Sequence, residues 1–202
     1  MKSLLITGFE PFGGETINPS WEAVRRLPDI VGNWAVHKLE IPVVYGVAGE
    51  KVAAEASRLH PDAILCVGQA GGRSVVTPEL VAINLREARI PDNAGNQPSA
   101  QPVVPDGPAA YFATVPVRSM VRAMTDAGLP ASLSLSAGAF VCNDVFYDLL
   151  HRFRDTSVKV GFIHVPFLPE QVKNGAQGMA LENMVLALIT CIKTLDEESL
   201  DM

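Results

Sequence analysis

Cysteine is scarce in this 202-residue chain: Cys66, Cys142 and Cys191 are the only three. An odd count at wide spacing excludes a disulfide framework. Three free thiols fit a reducing compartment, so the cytoplasm is the expected location. Metal-ligand spacing is also missing, with no C-x-x-C, no H-E-x-x-H and four scattered histidines. Basic residues are outnumbered, 16 Lys and Arg against 22 Asp and Glu, for a net charge of −6 and a pI near 5.2. No basic cluster stands out, which argues against a nucleic-acid or anionic-membrane partner. No uninterrupted apolar run approaches the ~18 residues of a membrane helix. The apolar start LLITGF is too short for a signal-peptide core and runs straight into turn residues. A phosphate loop is lacking too. GQAGGR has neither the G-x-x-x-x-G-K-[ST] nor the G-x-G-x-x-G frame and reads as a tight turn. Its competing reading is an anion loop in a phosphorylase-like or other α/β enzyme, whose turnover would depend on phosphate.

What is present is apolar: 48% of residues are hydrophobic and 19% charged. That suffices for one sizeable core and a single domain over residues 1–202. Short apolar runs alternate with helical patterns. SLLITGF, WAVHKLEIPVVY, AILCVG, LVAINL, ASLSLS and VKVGFIHVPF are expected as strands. PSWEAVRRL, GEKVAAEASRL, VRSMVRAMTDAGL, FVCNDVFYDLLHRF and GMALENMVLALITCIKTL are expected as helices. Strands joined by helical crossovers imply an α/β fold, a mainly parallel sheet with helices on both faces. Sites in such sheets lie beyond the carboxyl ends of the strands. One long polar segment, residues 91–110, is rich in Pro, Gly and Asn. It is expected as a loop, either a plain surface excursion or a functional one.

Cys142 falls in the first turn of a predicted helix, just after a predicted strand. Unpaired N–H groups and the positive end of the helix dipole favour a thiolate there. The same position also suits a small buried hydrophobe. Cys66 and Cys191 sit inside apolar runs and read as core. A cysteine nucleophile needs a base, usually His. His164 lies near the carboxyl end of VGFIHVPF, where the site edge is expected, although a structural histidine would satisfy the same context. His37, His60 and His151 sit in polar contexts and are expected to be exposed. A third group should orient the imidazole. The residues leave Glu79, Asp92, Asp144 and Glu182 open for that role.

The blocks ITGFEPFGGETINPSWEAV, GQAGGR, TPELVAINLREARIPDNAGNQP, SAGAFVCND and GFIHVPFLPEQ occur in this order. Together they resemble the pyroglutamyl peptidase I family, cytosolic cysteine peptidases that remove an N-terminal pyroglutamyl residue from peptides. The resemblance implies a three-layer α/β/α sandwich, a homotetramer and no cofactor or metal. It places the nucleophile on Cys142, its histidine on His164 and the acidic member on Glu79, with Arg89 near the site. Glu10 departs from the Asp common in the family, and Ala139 from a larger or hydroxylated residue. Pyroglutamate is a neutral lactam without a free amine. A site for it therefore needs flat apolar walls plus a donor and an acceptor. Phe9, Phe12 and Phe140 are the expected walls, with backbone groups around Gln69 and Val141 pairing the lactam edge.

Overall fold

The computed structural model describes residues 1–172 and 178–197. An eight-residue run with a single charged residue opens the chain as a strand. β1 spans Lys2–Phe9, and its last six residues are all buried. Helix α1 follows at Pro19–Arg25. Asn18 caps it by accepting from the Ser20 N–H at 3.1 Å, and Pro19 occupies the first turn, where no N–H is needed. The remaining strands are β2 at Ile30–Val31, β3 at Trp34–Ile41, β4 at Ala63–Gln69, β5 at Thr77–Pro78, β6 at Val81–Ile83, β7 at Ala110–Phe112 and β8 at Lys159–Val165. The other helices are α2 at Val47–Leu59, α3 at Val117–Asp126, α4 at Val141–Phe153 and α5 at Leu181–Thr194.

Six strands form one sheet in the order β2-β3-β1-β4-β8-β5. The central pairs β3/β1, β1/β4 and β4/β8 are parallel, and the two short edge strands are antiparallel. β4 and β8 are buried nearly throughout, as parallel strands covered on both faces must be. Helices α1, α3 and α5 pack together on one side, and α2 with α4 on the other. The molecule is thus the expected α/β sandwich with a mainly parallel sheet. α1 lies so close to β1 that a Cβ at Gly8 would come 2.6 Å from the Trp21 Cα.

Two sequence expectations change. LVAINL forms β6, but β6 pairs with β7 in a separate two-stranded ribbon, not in the main sheet. ASLSLS, residues 131–136, is not a strand. It runs extended beside residues 76–80 through isolated parallel bridges, Val76 with Ala131 and Glu79 with Ser134. Backbone bonds such as Ser134 N–H to Pro78 O at 3.0 Å hold it there. Its neighbour β5 is only two residues long and contains Pro78, which has no N–H to donate, so a regular ladder cannot propagate.

The loop 91–110 is pinned internally. Asp92 is buried and accepts from the backbone N–H groups of Tyr45, Ala94 and Asn96. The Asn84 side chain donates to Val104 O and Gly107 O and accepts from Val104 N–H. Asn93 donates to Glu10 Oε1 at 2.8 Å, which ties this loop to the one after β1. Glu10 also accepts from Val43 N–H, so its carboxylate anchors both neighbouring segments.

Candidate active site

The carboxyl ends of β1, β4 and β8 bring Phe9, Gln69 and His164 to one edge of the sheet. Gly68 and Gln69 are the register partners of His164 and Val165. Above this edge starts α4, with Phe140 as N-cap and Val141 and Cys142 in its first turn. The start of α4 is fixed by side chains that the sequence did not single out. Asn143 accepts from Ile83 N–H and donates to Ile83 O and Leu85 O. Tyr45 Oη donates to Ala139 O at 3.2 Å.

The Cys142 thiol comes down over Gly68. A Cβ at Gly68 would lie 2.9 Å from Cys142 Sγ and 2.8 Å from Phe162 Cζ. The missing side chain thus makes room for the thiol directly beside the strand position paired with His164. Cys142 and His164 line one open cavity of about 750 Å³. Phe162, two residues before His164 on the same strand face, packs against its ring with centroids 4.8 Å apart.

His164 is buried, and its Nδ1 lies 2.7 Å from Glu79 Oε1. Glu79 is wholly buried just after β5, where its N–H donates to Phe162 O at 2.9 Å. Burial alone would push this carboxyl up. The hydrogen bond and charge of His164, with Ser134 and Arg73, outweigh it and hold the carboxyl below its usual range. Oε2 has no hydrogen-bond partner among the described residues, so the Ser134 hydroxyl acts on the charge from nearby.

The rival carboxylates are engaged elsewhere. Asp92 organises its own loop. Asp144 accepts from Gly46 N–H at 2.8 Å and from Arg86. Glu182 is exposed on α5. Among the other histidines, His60 is exposed as expected, whereas His37 is part-buried, against expectation. His151 departs from expectation. It is part-buried in an aromatic cluster, with Nδ1 2.8 Å from Tyr111 Oη and its ring stacked on Tyr147.

Phe9, Phe12, Gln69, Phe140, Val141 and Cys142 line a second, narrow cavity of about 10 Å³. The Phe12 and Phe140 rings, both on its wall, lie tilted at 36° with centroids 6.1 Å apart. Gln69 is held by Gln171, whose Nε2 donates to Gln69 Oε1 at 3.2 Å. Arg89 is exposed on the rim of the large cavity. Residues 91–110 line neither cavity. GQAGGR is a tight turn in which Arg73 N–H donates to Ala70 O and Gly72 takes φ +86°. Its arginine, passed over in the sequence, turns into the site and donates to Glu79 Oε1 at 2.6 Å.

The three thiols differ in access. Cys66 and Cys191 are fully buried, whereas Cys142 is part-exposed. Burial pushes the Cys142 thiol up to about 12, and Glu79 and Cys66 add to that, while Arg73 opposes it. At the helix start, burial thus opposes the thiolate that the helix terminus favours. Cys66 is likewise pushed up to about 12, and Cys191 is raised as well. With all three thiols raised, access separates them. Limited iodoacetamide treatment of the native protein should label Cys142 first, as read by peptide mass spectrometry. Earlier labelling of Cys66 or Cys191 would contradict this placement.

Comparison with known proteins agrees with the geometry. The family model for pyroglutamyl peptidase matches residues 2–198. A pyrrolidone-carboxylate peptidase of Enterococcus faecalis is 51% identical over 194 residues, covering 94% of this chain and 91% of that protein. Its counterpart in Escherichia fergusonii is 52% identical over 198 residues, covering 96% and 92%. The crystal structure of Bacillus amyloliquefaciens pyroglutamyl peptidase I superimposes with a TM-score of 0.95 at 42% identity, covering 100% of both chains. The pyrrolidone carboxyl peptidase of Thermococcus litoralis gives 0.94 at 35% identity, covering 100% of this chain and 99% of that one. A match of this length, on a site that unites Cys142, His164 and Glu79, means that the chain belongs to the pyroglutamyl peptidase family.

Proposed function

We propose that this enzyme hydrolyses the bond after an N-terminal pyroglutamyl residue of peptides, with Cys142 as nucleophile, His164 as base and Glu79 as the group that orients it. The observation that carries the reading is the buried bond between His164 Nδ1 and Glu79 Oε1, on a strand whose register partner Gly68 seats the Cys142 thiol. Glu79 accepts at Nδ1, so that nitrogen bears the proton and Nε2 is free to act as base. His164 Nε2 takes the Cys142 proton, the thiol being raised by burial, and Sγ attacks the pyroglutamyl carbonyl carbon as thiolate. The carbonyl π pair moves to oxygen. Backbone N–H groups in the first turn of α4 lack helical acceptors and meet that oxyanion, with Arg89 at the cavity rim. When the tetrahedral adduct collapses, the C–N bond breaks and the imidazolium gives its proton to the leaving amine. Water then attacks the thioester with His164 again as base, releasing pyroglutamate and restoring the thiol. No step calls for a metal or a cofactor.

The lactam belongs in the cavity between Phe9, Phe12 and Phe140, with backbone and side-chain groups at Gln69 and Val141 on its polar edge. That space, about 10 Å³, is room for about one water. Substrate must therefore part the Phe12 and Phe140 rings, and Phe12, which also borders the open cavity, is placed to move. The departing peptide occupies the larger cavity. The phosphorylase-like alternative loses support, because the Arg73 guanidinium is committed to Glu79, Thr77 and Ser136.

A chromogenic pyroglutamyl amide should be turned over, and iodoacetamide should abolish that turnover. Glu79→Gln should lower kcat about 10²-fold or more with little change in KM, since it favours the wrong imidazole tautomer. Near-normal kcat in that variant, or equal kcat/KM for pyroglutamyl and prolyl amides, would sink the reading.

The homotetramer and the cytoplasmic setting belong to the same reading. Among the described residues no helix is long and apolar enough to cross a membrane. Ile30, Phe112, Leu135 and Leu186 are large apolar side chains exposed on the single chain. Light scattering should give a particle of four times 21.6 kDa. A monomer at micromolar concentration would refute the assembly.

A further inference from the structure

We propose that Arg73 is a positioning residue of this site: it holds the Glu79 carboxylate in place and ionised through the same oxygen that receives His164, and it ties that pair to the loop leading into the nucleophile. This inference rests on the catalytic reading above and goes beyond it in adding a fourth member.

Three observations carry it. First, Glu79 Oε1 accepts from two sides, from Arg73 Nη1 at 2.6 Å and from His164 Nδ1 at 2.7 Å. Second, Arg73 Nη1 also bonds Thr77 Oγ1, and Nη2 donates to Ser136 O at 3.2 Å. One planar fork thereby joins the GQAGGR turn, the segment that carries Glu79, and the segment Ser136–Phe140 that delivers Cys142. Third, the Glu79 side chain is fully buried, while Arg73 is about one-third exposed at the cavity wall.

A buried carboxylate needs a compensating charge. His164 gives Glu79 its largest support through a hydrogen bond and, once it has taken the thiol proton, a charge; Arg73 donates to the same oxygen throughout. The charged and titratable groups acting on this pair are Arg73, His164, Glu79, Cys142 and Cys66, with the Ser134 hydroxyl. Among these, Arg73 is the one permanent cation. Its hydrogen bond adds to that of His164 in favouring the Glu79 anion before the proton arrives. Once His164 is protonated, the shared oxygen divides its charge between two donors. The imidazolium is then stabilised without being held so firmly that it cannot pass its proton to the leaving amine. The guanidinium also lowers the Cys142 thiol directly.

A lysine has the charge but not the fork. It cannot reach Glu79, Thr77 and Ser136 in one plane. Charge and positioning can therefore be separated with Arg73→Met and Arg73→Lys. The readouts are kcat and KM on the pyroglutamyl amide, the iodoacetamide alkylation rate of Cys142 at fixed pH near 8.5, and the denaturant midpoint. Arg73→Met should lower kcat about 10-fold to 100-fold with KM within about twofold. It should slow Cys142 alkylation about threefold to tenfold, because less thiolate is present. Arg73→Lys should recover most of the alkylation rate but not the full kcat. Unchanged kcat in Arg73→Met would overturn the proposal. So would a fall in kcat that tracks lost folding stability with the alkylation rate untouched, since that is what a purely structural arginine gives. If the wild-type enzyme does not turn over pyroglutamyl amides at all, the substrate reading has failed instead, and the alkylation arm alone decides the role of Arg73.

Discussion

The site depends on a carboxylate placed where carboxylates are costly. Glu79 is fully buried beside the edge strand of the sheet. Removing its partners would leave an uncompensated charge, worth about 3–5 kcal/mol. Its position follows from backbone pairing on both sides: its N–H donates to Phe162 O on β8, and it bridges Ser134 on the other flank. With its own backbone held at β8, Glu79 reaches His164, two residues beyond Phe162, and turns the ring so that Nδ1 faces inward. The free nitrogen is left for the cavity that Cys142 shares.

The thiol follows from the same arrangement. A helix start favours a thiolate, but here the apolar floor of Phe162 and Gly68 and the nearby Glu79 charge act against it. The result is a thiol raised above its usual range. In the proposed mechanism, catalysis then rests on His164 accepting the proton, and so on whatever keeps Glu79 charged and aligned. Gly68 contributes by absence, since any side chain there would occupy the space of the sulfur.

Much of this was legible in the sequence, and the rest fails for identifiable reasons. The order of strands and helices follows from periodicity, because β1, β4 and β8 are continuous buried runs and α2 and α4 are clear helical patterns. Cys142 and His164 stand out through position, one at a helix start and one near the end of a strand. Glu79 was one of four open carboxylates until the blocks around it were seen to resemble a family, and only pairing across 85 residues separates it physically from Asp92 and Asp144. Segment 131–136 alternates like a strand but meets a two-residue neighbour that ends in proline. Arg73 was hidden because a glycine-rich turn reads as backbone geometry, whereas its bond to Ser136 spans 63 residues. Asn143 and Gln171 escaped for the same reason: their partners are distant in sequence.

The central claim is that Glu79 fixes the His164 tautomer, with the proton on Nδ1 and Nε2 free. Nitrogen-15 NMR of the histidine ring in the Cys142→Ser variant at neutral pH tests this most directly. The account predicts a protonated, pyrrole-type Nδ1 and an unprotonated, pyridine-type Nε2 for His164, with the pattern disturbed in Glu79→Gln. A proton on Nε2 with Nδ1 bare, unaltered by Glu79→Gln, would contradict it.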